Sequence, residues 1–342
     1  MAGPGSGGVL PRGSARPLAE AYDAALLDLD GVVYLGGSAV PGAAESLAKA
    51  GAAGMRVAFV TNNSSRTPSA IAAQLTGLGV AAAAADIVTS AQATARLLAE
   101  RLPPGAAVLV VGGMGLRMAL RERGFRPVSV AADRPAAVVQ GYAPDISYSL
   151  LAEGGLAVAA GAWFVASNAD STLPTTRGRQ PGNGALAQVI ATATGRQPAV
   201  AGKPEPPLHA EAVARTGASR PLVVGDRLDT DIEGAARAGA DSLLVFTGVS
   251  RPRDAVLAPS GQRPAYLAAG LAGLLEPHPA VAAADGAFRC RGWEAARGSG
   301  GRLRLSGHGE WLDGLRALCA AAWSEGQVTA EAADAALAAL PR

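Results

Sequence analysis

The chain has 342 residues, of which 49% are hydrophobic and only 4% aromatic, and its formal net charge is +2. This length predicts two domains, or one domain with a large insertion, at about 100 to 200 residues per domain. The nearly balanced charge excludes a global field that would hold nucleic acid or an anionic membrane. Any anionic ligand must therefore be recognised locally.

Three features bear on the cellular compartment. The two cysteines, Cys290 and Cys319, form neither a disulfide framework nor a CxxC metal pattern, which favours a reducing compartment. The segment 1–19 is rich in Gly, Pro and Ser, lacks the apolar core of a signal peptide, and is predicted to be a flexible tail. The most apolar later stretch, 156–166, is shorter than the ~20 residues of a membrane helix. We therefore expect a cytoplasmic protein with no membrane partner.

Short apolar runs alternate with Ala-rich helical patterns from about residue 20, which predicts βαβ units around a parallel sheet and an α/β fold. Helices are predicted over 69–78 and 231–238, each ending before a glycine. The predicted buried strands, in chain order, are 24–28, 56–60, 107–111, 136–140, 162–166, 221–224 and 242–246.

The sequence changes character beyond residue 276, where three of the four tryptophans and both cysteines lie. The segments 288–294 and 301–305 flank RGSGG and predict a hairpin, and 310–323 is typical of an amphipathic helix. This pattern predicts a separate C-terminal module. It resembles part of an acetyltransferase fold but is too short for a whole one.

Two aspartates, Asp28 and Asp30, follow the first predicted strand in the segment ALLDLDGVVYLGG. In a strand, residues two apart point to the same face, and ligands of open α/β sheets bind outside the carboxyl ends of the strands. Two adjacent carboxylates repel each other unless a cation or a proton holds them together. By itself, the pair is explained equally well as solvated residues at an ordinary strand-to-turn junction.

Two later segments carry groups that suit a phosphate. Thr61, Asn62 and Asn63, in VTNNSS, offer hydroxyl and amide groups that can bind phosphate oxygens, although a polar turn before a helix explains them as well. Lys203, in AGKPEPP, is a point charge suited to a phosphoryl group. Its loop is not a Walker loop, because Pro204 follows the lysine.

A fourth segment, VGDRLDTDIEGA, again runs an apolar strand into acids, Asp226, Asp229 and Asp231. Carboxylate oxygens are hard ligands, and Mg²⁺ in proteins is bound by one or two carboxylates while it keeps several water ligands. One strand that ends in acidic residues is common. Here one strand ends in acids, a second ends in hydroxyl and amide groups, a third ends in acids, and a lysine loop lies between the second and the third. This combination indicates a binding or catalytic site.

In this order, DLDGVVY, VTNNSSRTP, GKPEP and VGDRLDTDIEGA resemble the four motifs of the haloacid dehalogenase (HAD) superfamily, most closely those of the subfamily IIA phosphatases. The resemblance covers about 20–275. It implies a Rossmann-like parallel-sheet core over 20–85 and 186–275, an inserted α/β cap of the C2 type over 86–185, and a small C-terminal extension over 276–342.

The resemblance also implies roles for the motif residues. Asp28 would be the nucleophile that forms an aspartyl-phosphate, and Asp30 the general acid for the leaving alcohol and then the base for the hydrolytic water. Thr61 and the backbone of Asn62, with Asn63 beside them, would bind the transferring phosphoryl group. Lys203, the third catalytic residue, would neutralise the charge of that group.

The implied cofactor is Mg²⁺. Asp226 would bind it beside the carboxylate of Asp28 and the carbonyl oxygen of Asp30, and Asp231 would support the waters of the metal. The implied partner is a small phosphorylated metabolite. No nucleic-acid partner is expected, and a homodimer is left open.

Several functions stay open at this point. The nearest resemblance within the subfamily is to bacterial glycerol 3-phosphate phosphatases, and phosphoglycolate, 4-nitrophenyl phosphate and sugar phosphates are alternative substrates. Leu173 stands where pyridoxal-phosphatase-like members have a histidine, which argues against a pyridine-ring substrate. A non-catalytic phosphometabolite-binding regulator is disfavoured because the motif aspartates and the lysine are all present. A dinucleotide-dependent oxidoreductase is disfavoured because Met118 breaks the GxGxxG pattern that Gly113 and Gly115 begin.

Overall fold

The computed structural model describes residues 10–175, 177–324 and 328–341, so 1–9 of the predicted tail lie outside it. The strands are β1 Ala24–Leu27, β2 Tyr34–Leu35, β3 Ser38–Ala39, β4 Arg56–Thr61, β5 Ile87–Thr89, β6 Ala107–Val111, β7 Arg126–Val128, β8 Ala137–Gln140, β9 Trp163–Ala166, β10 Thr172–Thr175, β11 Gly178–Pro181, β12 Ala199–Val200, β13 Pro221–Gly225, β14 Asp241–Val245, β15 Tyr266–Ala268, β16 Ala282–Ala284, β17 Ala287–Cys290, β18 Trp293–Arg297 and β19 Leu303–Gly307. The helices are α1 Leu18–Ala21, α2 Ala43–Ala52, α3 Pro68–Gly77, α4 Ser90–Ala99, α5 Met114–Glu122, α6 Tyr148–Ala159, α7 Asn183–Thr194, α8 Pro206–Thr216, α9 Glu233–Arg237, α10 Pro252–Val256, α11 Trp311–Ser324 and α12 Ala330–Leu337.

The chain divides into two units, the first formed by Met1–Val57 with Ala218–Arg342 and the second by Ala58–Gly217. In the first unit, β15, β14, β13 and β1 lie side by side in this order, and each neighbouring pair is parallel. Their central residues are completely or almost completely buried, as expected for parallel strands covered on both faces. The carboxyl ends of β1 and β13 are therefore adjacent.

The C-terminal residues of the first unit form an antiparallel sheet in the order β16-β17-β18-β19, against which α11 packs. The side chains of Trp293, Leu315 and Trp323 belong to one apolar cluster together with Ile232 and Leu244 from the parallel-strand region. The residues of the predicted C-terminal module therefore share an apolar core with the rest of the first unit.

The second unit contains a five-stranded parallel sheet in the order β12-β9-β8-β6-β7. One face of this sheet packs on α4 and α5, through Leu98, Leu116 and Leu120, and the other packs on α6 and α7, through Val158 and Ile190. We predicted that the inserted segment would end at residue 185. The five-stranded sheet instead includes β12 beyond that residue, and α7, which precedes β12, packs on one face of the sheet.

The α/β class is confirmed, and all seven predicted strands are present to within one residue at each end. The helices predicted over 69–78 and 310–323 are α3 and α11, each displaced by one residue. The predicted helix over 231–238 begins instead within a π-helical turn, Leu228–Ile232, and continues as α9.

Two local predictions were wrong. The hairpin predicted around RGSGG is present as the antiparallel pair β18 and β19, but the bounds of its first arm were wrong. The segment 288–294 contains two strands, β17 and β18, which reverse at Arg291 with a backbone φ of 48°. Residues of the predicted tail beyond Leu10 are ordered, because Ser14 exchanges backbone hydrogen bonds with His278 and Leu18 is completely buried. Among the described residues, every helix is too short or too polar to cross a membrane.

Candidate functional site

Three acidic side chains of the first unit lie together at the carboxyl ends of β1 and β13. Each of Asp28, Asp226 and Asp231 places a carboxylate oxygen within 4.8 Å of the others. Asp28 directly follows β1, and its backbone N–H donates to the carbonyl of Val224 on β13 over 2.8 Å. We call these three residues the carboxylate group. The alignment of two neighbouring parallel strands brings its members together although about 200 residues separate Asp28 from the other two.

Three glycines lie directly against Asp226 and Asp231 of the carboxylate group. A Cβ atom at Gly248 would lie 2.0 Å from Oδ2 of Asp226, and one at Gly225 would lie 2.1 Å from the Cβ of Asp231. Gly31 has a backbone φ of 91°, and a Cβ atom there would lie 2.4 Å from Asp226 Oδ2. Only glycine fits at these positions, so the backbone approaches the carboxylates closely.

Backbone donors hold the buried carboxylates in place. Val249 donates its N–H to Oδ2 of Asp226 over 2.6 Å, and Arg227 donates its N–H to Oδ2 of Asp231 over 3.1 Å. Ser250 adds a backbone hydrogen bond to the carbonyl of Asp226. The segment 247–250 was missed in the sequence, although its position after β14, which neighbours β13, could have indicated it.

The carboxylate group suits a divalent metal ion. It offers hard oxygen ligands from three residues, of which Asp226 and Asp231 are almost completely buried. Carboxylates this close repel one another unless a cation is present, and magnesium is bound in proteins by one or two carboxylates together with waters. The donor set therefore fits the predicted Mg²⁺.

Asp30 stands apart from the carboxylate group. Asp28 and Asp30 lie beyond the end of β1 at Leu27, so the strand alternation that predicted a shared face does not apply to them. Asp30 is exposed, but the protein atoms around its carboxyl raise its pKa by desolvation, an effect that a backbone hydrogen bond from Gly36 partly offsets. A raised pKa favours the protonated form that a general acid needs.

In the second unit, Asn62 and Lys203 are joined through their backbone and side-chain atoms. The N–H of Lys203 donates to Oδ1 of Asn62 over 2.8 Å, and Nδ2 of Asn62 donates to the carbonyl of Lys203 over 3.1 Å. Lys203 is buried, and its Nζ donates to the carbonyl of Val60 at the end of β4 over 3.2 Å. The side chain of Asn62 therefore holds the backbone of the loop that carries Lys203 in place.

Two residues that were not among the predicted site residues support Asn62. Asn168 donates from Nδ2 to the carbonyl of Asn62 over 2.8 Å, and Nδ2 of Asn62 lies 3.3 Å from the carboxylate of Asp170. Both belong to the segment SNADST, which follows β9. Its run of amide and carboxylate side chains directly after a buried strand was the available signal.

Thr61 and Asn63 make local contacts. Oγ1 of Thr61 accepts from the N–H of Asn63 over 3.1 Å, and Oδ1 of Asn63 accepts from the N–H groups of Ser65 and Arg66. The Asn63 side chain thus closes its own turn before α3. This geometry favours the alternative explanation of Asn63, a polar turn, over its predicted phosphate contact.

His209 lies on α8 within the second unit and is almost completely buried. Among the described residues, neither ring nitrogen has a hydrogen-bond partner. Burial, with the nearby charge of Lys203, lowers the pKa of His209 to about 3. The ring is therefore neutral at physiological pH.

This depressed pKa makes stability depend on pH. Between about pH 3 and 6.5 the unfolded chain binds a proton at His209 that the folded chain does not, so stability rises with pH in this window. We expect His209→Leu to remove about 1.4 kcal/mol per pH unit from the slope of unfolding free energy between pH 5 and 6. Urea unfolding at these pH values would measure it. His308→Leu, at an exposed histidine, is the control, and equal slopes in all three proteins would contradict the assignment.

Comparisons with known proteins agree with this geometry. The model of haloacid dehalogenase-like hydrolases matches residues 25–126, a second HAD-hydrolase-like model matches 200–274, and a GCN5-related N-acetyltransferase-like model matches 290–342. The chain is 45% identical to D-glycerol 3-phosphate phosphatase of Mycobacterium tuberculosis, covering 90% of this chain and 88% of that protein. It is 39% identical to the 5'-nucleotidase YutF of Bacillus subtilis, over 67% of this chain and 89% of that protein.

Solved structures are similar as well. Glycerol phosphate phosphatase Rv1692 from Mycobacterium tuberculosis in complex with magnesium has a TM-score of 0.83 and 45% identity, over 92% of this chain and 94% of that one. The double mutant thermostable NPPase from Geobacillus stearothermophilus has a TM-score of 0.67 and 36% identity, over 73% of this chain and 96% of that one. The predicted family is thereby confirmed: the chain belongs to the haloacid dehalogenase-like hydrolases and is an enzyme of their phosphatase class.

Proposed function

We propose that this enzyme is a Mg²⁺-dependent phosphatase that hydrolyses sn-glycerol 3-phosphate to glycerol and phosphate through an aspartyl-phosphate. The observation that carries the proposal is the carboxylate group, in which Asp28 lies beside two buried aspartates, Asp226 and Asp231, that glycine backbone approaches closely. Such a group combines a nucleophile with a ligand set for a divalent cation.

In the first step, an oxygen of Asp28 attacks phosphorus, and the bond from phosphorus to the substrate oxygen breaks. Asp30 gives its proton to the departing alkoxide, so glycerol leaves neutral. In the second step, Asp30 takes a proton from water, whose oxygen attacks phosphorus and releases Asp28 and inorganic phosphate. When bound by Asp28, Asp226 and Asp231, Mg²⁺ would offset the negative charge of the phosphoryl group and of the carboxylates.

Lys203 and Thr61 are proposed to bind the transferring phosphoryl group. The two hydrogen bonds between Asn62 and the backbone of Lys203 fix the loop that carries the lysine, so its charge is positioned before substrate arrives. Burial strengthens the effect, because an ammonium group acts more strongly on a phosphate where water is excluded.

Support for glycerol 3-phosphate comes from the relative of Mycobacterium tuberculosis, whose likeness extends over nine-tenths of this chain. Relatives named as a 5'-nucleotidase and as acid sugar phosphatases cover about two thirds of it. The broader coverage favours glycerol 3-phosphate over a nucleotide or a sugar phosphate. The homodimer stays open.

A panel of phosphate esters tests the proposal. Phosphate release would be measured for glycerol 3-phosphate, phosphoglycolate, 4-nitrophenyl phosphate, a sugar phosphate and a 5'-nucleotide, with Mg²⁺ or with EDTA. We expect kcat/KM to be highest for sn-glycerol 3-phosphate, EDTA to reduce release to background, and added Mg²⁺ to restore it.

The outcomes separate the parts of the proposal. If another ester ranked first, the substrate would be wrong while the phosphatase class stood. If no ester released phosphate, the non-catalytic phosphometabolite-binding alternative would replace catalysis. Activity that persisted after exhaustive chelation would contradict the role of the carboxylate group as a metal site.

A further inference from the structure

A second group of charged side chains lies on helices α4 and α8 and at the residue that directly follows α5, all in the second unit. Three guanidinium groups, from Arg96, Arg123 and Arg215, surround the carboxylate of Glu211. Glu211 is almost completely buried, whereas each arginine side chain is between 34% and 40% exposed. We call these four residues the arginine cluster.

One carboxylate cannot satisfy three guanidinium groups. Nε of Arg215 lies 2.8 Å from Glu211, but the contacts of Arg123 and Arg96 are longer, at 3.2 and 3.5 Å. Each guanidinium carries five N–H donors in a planar fork, so the cluster has many more donors than the two oxygens of Glu211 can accept. The cluster therefore has an excess of both positive charge and donors.

The excess donors border an open cavity. A cavity of about 370 Å³ is lined by all four residues of the cluster, together with Gln92, Glu122 and small alanine side chains. Its volume lies within the range of small-ligand sites. Even with Glu122 counted, three guanidinium groups face two carboxylates, so the lining has a net positive charge.

We propose that the arginine cluster binds a small anion that carries a phosphate group, either inorganic phosphate or a phosphate monoester. Guanidinium forks match the oxygens of a phosphate in pairs, and several of them at one cavity provide charge-assisted donors from different directions. The cluster shares no residue with the carboxylate group or with the Asn62–Lys203 pair. The inference thus concerns a second anion site and does not depend on the proposed substrate.

Calorimetric titration of the full-length protein tests this site. Inorganic phosphate is one probe, and methylphosphonate, a monoester analogue that this enzyme cannot hydrolyse, is the other. The variants are Arg123→Gln and Glu211→Gln, and the control is Arg121→Gln, which makes the same change at an exposed arginine two residues away. Circular dichroism confirms that each variant is folded.

We expect two binding events in the wild type, one of which weakens at least about tenfold in Arg123→Gln and is unchanged in Arg121→Gln. Glu211→Gln is expected to tighten the same event several-fold, because removing the carboxylate frees donors and removes a repelling charge. Preference for methylphosphonate over phosphate would indicate an ester as the natural ligand, and the reverse would indicate free phosphate. Equal binding by wild type and Arg123→Gln, or parallel weakening in Glu211→Gln, would show a purely structural cluster and overturn the proposal.

Discussion

Asp28→Asn is expected to lower the kcat of phosphate release by at least about four orders of magnitude. The amide that replaces the carboxylate has almost the same shape but cannot attack phosphorus, so the aspartyl-phosphate does not form. Saturating Mg²⁺ should not restore the rate, because Asp226 and Asp231 still offer their oxygens to the metal. Initial rates with glycerol 3-phosphate, at several Mg²⁺ concentrations, would measure the effect.

Asp229 provides a matched control for this substitution. It lies in the same motif as Asp226 and Asp231, but its side chain is 59% exposed and forms an ion pair with Arg227. Asp229→Asn should leave kcat within about twofold of the wild type, since exposed ion pairs contribute little. If Asp28→Asn retained the rate of this control, Asp28 would not be the nucleophile.

Asp30→Asn is expected to have an effect that depends on the leaving group. For glycerol 3-phosphate, loss of the general acid should slow the first step by about 10² to 10⁴-fold, because an alkoxide leaves poorly without a proton. For 4-nitrophenyl phosphate the first step should be nearly unaffected, because nitrophenolate leaves without protonation. The second step should be slow for both substrates, because the base for the hydrolytic water is missing.

Rapid mixing separates these two steps. With 4-nitrophenyl phosphate, Asp30→Asn should release a burst of about one equivalent of nitrophenolate per enzyme, followed by slow turnover. With glycerol 3-phosphate, no burst of glycerol is expected. Equal slowing of the first step for the two substrates would argue that Asp30 acts on structure or on metal binding instead of on the leaving group.

The seven buried strands and the four motifs were predictable because their signals are local. A run such as AALL or PLVV is apolar over its whole length because a parallel strand is covered on both faces. The acids that follow β1 and β13 could be placed near each other from the rule that parallel strands present their carboxyl ends at one edge. For Asp28 and Asp226, the candidate site thus followed from pattern and topology together.

Contacts between distant segments were not predictable in this way. The hydrogen bonds between Asn62 and Lys203 join residues 141 positions apart, and Gly248 fits against Asp226 only because a Cβ atom there, which would lie 2.0 Å from Oδ2, is absent. The C-terminal residues, predicted to stand alone, share a core with Leu244. Such relations depend on the packing of side chains, which no local pattern records.

The distribution of charged residues also divides into a part that the sequence predicts and a part that only the tertiary structure determines. The composition, with a formal net charge of +2, predicts that any anion is recognised locally, but it does not say where. Arg96 and Arg215 lie on α4 and α8, Arg123 directly follows α5, and nothing in their spacing along the chain connects them. The folding of those helices around the buried carboxylate of Glu211 brings the three guanidinium groups to one cavity. Local chemistry along the chain therefore identified the strands and the motif residues, whereas long-range packing determined which charges became neighbours.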